Sequence, residues 1–230
     1  MPSLAVGFDF DHTLGFDNKL EVVSFMRLLD LVAQHGGARP AGDEKAAIAA
    51  LLAHQRSGAC TIDEAVFDFV GPLFDGDDVA ARPWVERYKE IALGLCGEYV
   101  KAAPGARQVL QKFATDGIKV AILSNGWSPL QQRKAQIVGF SGPVLVSDQI
   151  GKQKPDPVAF AHLIETLGGD PANILYVGDN PAVDVSGALA AGLRAIWVDE
   201  GLAPYPAGIA PPTHTIRSLG ELVGVLGALA

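Results

Sequence analysis

Residues 6–15 read VGFDFDHTLG. Leu4 to Phe8 is a short apolar run, the pattern of a buried strand. It ends in two acids, Asp9 and Asp11, separated only by Phe10. Acids are poor strand formers. Two carboxylates about 4 Å apart also repel by roughly 4 kcal/mol at an effective dielectric near 20. Such a pair is tolerable where a cation shares the site, and hard oxygen ligands point to a divalent ion, Mg²⁺ above all. The bland alternative is a turn that caps the next helix. A calcium loop is excluded, because its sixth position would be Leu14 instead of Gly and its twelfth Leu20 instead of Glu. No G-x-x-x-x-G-K-[ST] sequence occurs, which excludes a Walker-type nucleotide site.

Downstream of these acids the rhythm becomes helical. Asn18 to Glu21 has the form of a capping box, followed by Val22, Phe25, Met26, Leu29, Val32 and Ala33 at helical spacing up to Gly36-Gly37. Asp43 to about Ser57 is rich in Ala and Leu. Thr61 to Glu64 is a second capping box, whose helix must end near Gly71-Pro72. Pro83 then opens a helix that runs to about Tyr99. Roughly residues 17–98 thus read as all helix. From Pro104 onward helices alternate with short apolar strands at Lys119–Leu123, Val144–Val146, Ile174–Val177 and Ala195–Val198, with a weak strand near Thr213–Ile216. That alternation predicts a parallel sheet covered by helices on both faces. The expected fold is α/β and Rossmann-like, with an all-helical domain inserted after the first strand. Its boundaries are 1–16 and 101–230 for the α/β core and 17–100 for the insertion. Gly201 to Pro212 reads as a surface loop.

The totals agree with this reading. The chain has 230 residues, 49% of them hydrophobic and 19% charged, enough for a real core. Its formal net charge of −8 argues against nucleic acid or an anionic membrane as partner, but leaves a small anionic ligand open. Two cysteines without a CxxC, a start at Met1-Pro2-Ser3 without a basic stretch, and no apolar run of bilayer length predict a reduced, cytoplasmic protein.

In open α/β sheets ligands bind beyond the carboxyl ends of the strands. Four such places carry chemistry here. The first strand gives Asp9, Asp11 and Thr13; the second gives Ser124-Asn125-Gly126. Lys152-Gln-Lys154-Pro155-Asp156-Pro157 precedes the third helix. Gly178-Asp179 ends a later strand, with Asp184 in the next first turn. Each has an ordinary alternative. Ser124 could cap a helix, Lys154 could be a solvated lysine, and Asp184 could sit on a helix dipole. Asp156 reads as a helix cap.

In this order "DFDHT", "LSNG", "KPDP" and "GDNPAVD" resemble the motifs of haloacid-dehalogenase-superfamily phosphatases that carry a helical cap after the first motif. The resemblance covers the α/β core; the cap matches only in position and helicity. It implies a Mg²⁺-dependent hydrolase acting on a small phosphorylated metabolite. Asp9 would be the nucleophile that forms an aspartyl phosphate, and Asp11 the acid and base. Ser124 and the Asn125 amide would grip phosphate oxygens. Lys154, selected over Lys152 by its place before Pro-Asp-Pro, would lend positive charge. Asp9, the Asp11 carbonyl, Asp179 and Asp184 would hold the metal. Thr13 stands on the substrate side of the same loop, or bonds that loop's own backbone. His12, where many relatives carry Gly, faces the leaving group or solvent. Trp127 packs under the cap or lines the pocket. Phe67, Phe69, Phe74 and Trp84 read as cap core. A dehalogenase of the same superfamily would carry one aspartate at the first motif and need no metal; Asp11 argues against it, since halide leaves without a proton. A phosphomutase remains open. A signalling receiver domain normally places its acceptor aspartate after the third strand and lacks such an insertion.

Overall fold

The computed structural model describes residues 4–229. The chain divides into two compact units, Met1–Phe16 with Val100–Ala230, and Asp17–Tyr99. Val100 therefore belongs with the first unit and not with the insertion. The path begins with β1 (Ala5–Phe8) and β2 (Gly15–Phe16). The second unit follows as α1 (Leu20–Gln34), α2 (Glu44–Arg56), α3 (Ile62–Val70), α4 (Asp78–Ala81) and α5 (Pro83–Tyr99). The first unit resumes with β3 (Lys101–Ala102), α6 (Ala106–Asp116), β4 (Lys119–Ser124), α7 (Leu130–Val138), β5 (Val144–Val146) and α8 (Ser147–Ile150). It closes with α9 (Pro157–Leu167), β6 (Ile174–Gly178), α10 (Ser186–Ala190), β7 (Arg194–Val198), β8 (His214–Ile216) and α11 (Leu222–Leu229).

Six strands form one parallel sheet in the order β5-β4-β1-β6-β7-β8. Successive strand residues point to opposite faces. Ala5 packs in a cluster with Phe160 and Leu163 of α9, whereas Phe8 stacks on Phe113 of α6 at 6.2 Å. Helices therefore lie on both faces. The sequence pattern did not indicate the two-residue strands β2 and β3, which pair antiparallel, Gly15 with Ala102 and Phe16 with Lys101. Gly15 is required there by space: a Cβ would sit 2.9 Å from the Phe10 ring and 3.0 Å from the Lys101 carbonyl.

In the second unit, Phe25 of α1 meets Tyr88 of α5 at 4.3 Å and Phe69 of α3 at 5.5 Å, and Phe74 stacks on Trp84 at 5.9 Å. The Thr61–Glu64 capping box forms: Glu64 N–H donates to the Thr61 hydroxyl at 3.2 Å, and the Glu64 carboxylate accepts from Thr61 N–H at 2.8 Å. The box expected at Asn18–Glu21 does not form. Lys19 takes a left-handed conformation and α1 has no side-chain cap. Asn18 Nδ2 instead donates to the Tyr99 carbonyl at 2.6 Å, tying the unit's first turn to its last, while Glu21 pairs with Arg56 at 3.0 Å. In the acidic run Asp75–Asp78, Asp77 caps α4 and Asp78 is its first residue. No helix among the described residues is long and apolar enough to cross a membrane.

Candidate active site

β1 lies between β4 and β6, so three adjacent strand ends deliver the motif residues to one edge of the sheet. The chain moves outward from β1 through β4 to β5, then returns to β6 on the other side. The order thus reverses at β1, the position where open α/β sheets bind ligands. Asp9 prolongs the pairing by one residue, its N–H donating to the Val177 carbonyl at 2.8 Å.

Lys154 is the centre of the site. Its ammonium donates to Asp9 Oδ1 at 2.6 Å, Asp184 Oδ1 at 2.7 Å and the Tyr176 hydroxyl at 2.9 Å, and the Tyr176 hydroxyl donates to the Leu123 carbonyl at 2.9 Å. Lysine, both acids and tyrosine are all buried. Asn125 fixes the lysine's backbone: its Oδ1 accepts from Lys154 N–H at 2.8 Å and its Nδ2 donates to the Lys154 carbonyl at 3.0 Å. The side-chain amide is thereby committed, which leaves the Asn125 backbone N–H as the amide able to meet a ligand.

A π-helical turn, Pro181–Val185, brings Asp184 back over the end of β6. Such turns recur at functional sites. Asp184 Oδ2 accepts from Asn180 N–H at 3.0 Å, and its carboxylate occupies the space where any Cβ on Gly178 would lie. Asp179 is held by its carbonyl, which accepts from the Trp197 indole at 2.8 Å. Carboxylate oxygens of Asp9, Asp179 and Asp184 all lie within 4.8 Å of one another.

Burial, and then the neighbouring charges, raise the proton affinity of Asp9 and Asp179. Burial pushes the Asp9 carboxyl well above the usual range; Lys154 opposes this, and Asp184, Asp179 and Asp11 add to it. Asp179 is pushed up to about 6, chiefly by burial and then by Asp184. Burial disfavours the Lys154 charge, but the carboxylates of Asp184 and Asp9 outweigh it and hold the ammonium well above its ordinary value. Three carboxylates brought this close together offer the oxygen donors that suit a hard divalent cation.

Asp11 points elsewhere. Its Oδ1 accepts from Lys134 Nζ at 2.8 Å and its Oδ2 from Gln131 Nε2 at 3.2 Å, both on α7. Its carboxylate is outside the three-acid cluster, so only its carbonyl remains for the metal role expected of it.

The remaining candidates divide. Ser124 is buried at the end of β4 and caps no helix; its hydroxyl reaches only the Asn125 carbonyl, at 3.5 Å. The Thr13 N–H donates to the Phe10 carbonyl of its own loop at 3.2 Å, whereas its hydroxyl is buried and has no hydrogen-bond partner among the described residues. Trp127 is buried. Lys152 is exposed and pairs with Asp156 at 3.6 Å, and Asp156 caps α9 through Val158 N–H at 2.9 Å. His12 takes φ 61°, a left-handed value that favours Gly, with its ring edge-on to Phe16 and its Nδ1 3.3 Å from Glu200 Oε1. The sequence reading missed Lys134, Gln131 and Tyr176. A signal existed for the first two. The inward stripe of α7 is Leu130, Gln131, Lys134, Ala135 and Val138, an apolar stripe interrupted by two long polar side chains.

A sequence model of haloacid dehalogenase-like hydrolases matches residues 4–192. The phosphoserine phosphatase of Thermus thermophilus is 39% identical over 111 residues, which are 47% of this chain and 45% of that protein. The pyrimidine 5′-nucleotidase YjjG of Escherichia coli is 31% identical over 154 residues, 62% of this chain and 68% of that one. The match thus spans less than half of the first relative and about two thirds of the second. The crystal structure of a 2-haloacid dehalogenase from Pseudomonas syringae superposes with a TM-score of 0.79 at 24% identity, over 99% of this chain and all of the other, a likeness of fold.

Proposed function

The chain belongs to the haloacid dehalogenase-like hydrolases, and we propose that within that family it is a Mg²⁺-dependent phosphatase of a small phosphorylated metabolite. The observation that carries this reading is the pairing of two acids with two different lysines. Asp9 sits with Lys154 in the three-carboxylate cluster, and a second acid, Asp11, stands beside it. Displacing a halide needs no proton, so a dehalogenase has no use for the second acid. Breaking a phosphate ester does need one.

The geometry is compatible with the following roles. A carboxylate oxygen of Asp9 attacks phosphorus as the bond from phosphorus to the ester oxygen breaks, and Asp11 gives its proton to that leaving oxygen. Water then attacks the same phosphorus and yields a proton to Asp11. The Asp9 carboxylate leaves, and inorganic phosphate is formed. Lys154, fixed by Asn125 and Tyr176, stabilises the charge on Asp9 and on the phosphoryl oxygens. Ser124 Oγ and the Asn125 backbone N–H bind phosphoryl oxygens, with Thr13 beside them. The carboxylates of Asp9, Asp179 and Asp184 and the carbonyl of Asp11 would hold Mg²⁺, which supplies positive charge against the phosphoryl group. The helical unit Asp17–Tyr99 is the cap in this reading. It leaves the α/β unit just after the first motif and returns just before α6, and in this reading it selects the substrate.

A panel of phosphorylated metabolites, assayed for phosphate release, tests this. At least one small ester should be hydrolysed with Mg²⁺, release should stop with chelator, and a folded phosphoprotein should be left intact. Full activity in metal-free buffer, or halide release from 2-haloacids in place of phosphate release, would overturn the reading.

A further inference from the structure

Lys134 is the second buried cation of the α/β unit's reactive edge, and the reaction as written gives it no task. It lies one turn into α7, only 1% exposed. Its ammonium is 2.8 Å from Asp11 Oδ1 and 5.7 Å from the centre of the Phe10 ring. Gln131, three residues earlier on the same face of the helix, is also buried and donates to Asp11 Oδ2 at 3.2 Å and to the Asn125 carbonyl at 3.3 Å. Each oxygen of Asp11 therefore has its own anchor on one rigid element. The Asp11 side chain nevertheless keeps about a third of its surface exposed, at 35%. It is held from one side and open on the other.

Burying an ammonium is costly unless it is paired. A helix that needed only to pack would place Leu or Met at position 134, as it places Leu130, Ala135 and Val138 on the same stripe. The cost is understandable if the pair fixes where the Asp11 carboxylate stands. Asp11 and Asp9 are separated by one residue, and without α7 the excess negative charge at Asp9, Asp179 and Asp184 would turn Asp11 away or let it compete for Lys154. A proton donor works only within hydrogen-bond reach of the oxygen it serves. We propose that Lys134, with Gln131, is a positioning residue that holds the Asp11 carboxylate at the leaving-group side of the site, and thereby sets how poor a leaving group the enzyme accepts. This rests on the phosphatase reading above. It makes α7 a determinant of the substrate range, alongside the cap.

The experiment compares two esters in the full-length protein with Mg²⁺: an alkyl phosphate, whose leaving oxygen needs a proton, and an aryl phosphate such as p-nitrophenyl phosphate, which needs little help. Lys134→Met should lower the ratio of kcat on the alkyl ester to kcat on the aryl ester by about tenfold or more, within the 10²–10⁴-fold that general acid catalysis supplies. In an Asp11→Asn background the same substitution should change that ratio by less than about threefold, because the group it positions has lost its proton. Gln131→Met, which removes the longer of the two contacts, should move the ratio in the same direction by less; it keeps the test available if Lys134→Met does not fold. Equal losses on both esters would reduce Lys134 to a packing role and overturn the proposal while leaving the phosphatase reading intact. A further drop in the ratio in the Asp11→Asn background would also overturn it. No phosphate release from either ester by the unaltered protein would overturn the phosphatase reading, and this proposal with it.

Discussion

Asp9 and Asp11 are near neighbours in the chain, yet each is tied to a different cation, one on the loop before α9 and one on α7. Their substitutions should therefore fail differently. Asp9→Asn should abolish turnover on every ester, since an amide cannot form the acyl phosphate. Asp11→Asn should slow alkyl esters by about 10²–10⁴-fold and aryl esters far less. Steady-state rates on matched alkyl and aryl phosphates check this, and equal losses from Asp11→Asn would remove it from the acid role. Asp9, Lys154, Asp179 and Asp184, which the structure brings together, and Asp11 beside them were legible as candidates because each lies in a short motif. Lys134, Gln131 and Tyr176 were not. Tyr176 sits within the apolar strand Ile174–Gly178, where an aromatic reads as core, and only its hydroxyl is polar. Gln-Gln-Arg-Lys in α7 reads as a solvated face until the helix is docked. Nothing local shows that the Asn125 side-chain amide is bonded to the backbone of Lys154, far along the chain.

At the scale of elements, the sheet strands were readable as short apolar runs between helical stretches, and the longer helices because each repeats its period several times. Pro157–Leu167 and Pro83–Tyr99 begin at Pro and end as their patterns do. Several of the shortest elements outside the sheet were not readable. β2, β3 and α8 are too short to show a period, and the π-helical turn at Pro181–Val185 exists to place Asp184, a purpose absent from the local sequence. The two capping boxes show how tertiary contacts decide among local options. Thr61 and Glu64 have no competing partner and form the box; Asn18 and Glu21 are drawn to Tyr99 and Arg56. Thr61→Ala should then destabilise the protein by about 1 kcal/mol, whereas Thr61→Ser should be close to neutral. Denaturant unfolding followed by helical circular dichroism checks this, and a Thr61→Ala variant as stable as its parent would show that the box contributes nothing.

The molecule as a whole is two units with one chain passing between them twice. The α/β unit has its own sheet, its own buried cluster around Phe160, Leu163 and Tyr176, and all the proposed reactive side chains. Replacing Asp17–Tyr99 by a short linker should therefore leave a folded unit that binds Mg²⁺ but has lost substrate discrimination. The same metabolite panel, run on both forms, tests this. A linker form that keeps the parent's order of preference would show that the helices do not select the substrate. The two crossings explain why such an exchange is physically open. Gly15–Phe16 and Lys101–Ala102 are hydrogen-bonded side by side, so whatever the chain carries between them starts and finishes about 5 Å apart. Each doubling of a flexible loop closed in this way costs only about 0.6 kcal/mol of chain entropy. The β2–β3 ladder is in this sense a socket. Over evolutionary time one insert can be traded for another, longer or shorter, while the chemistry on the sheet edge is inherited unchanged.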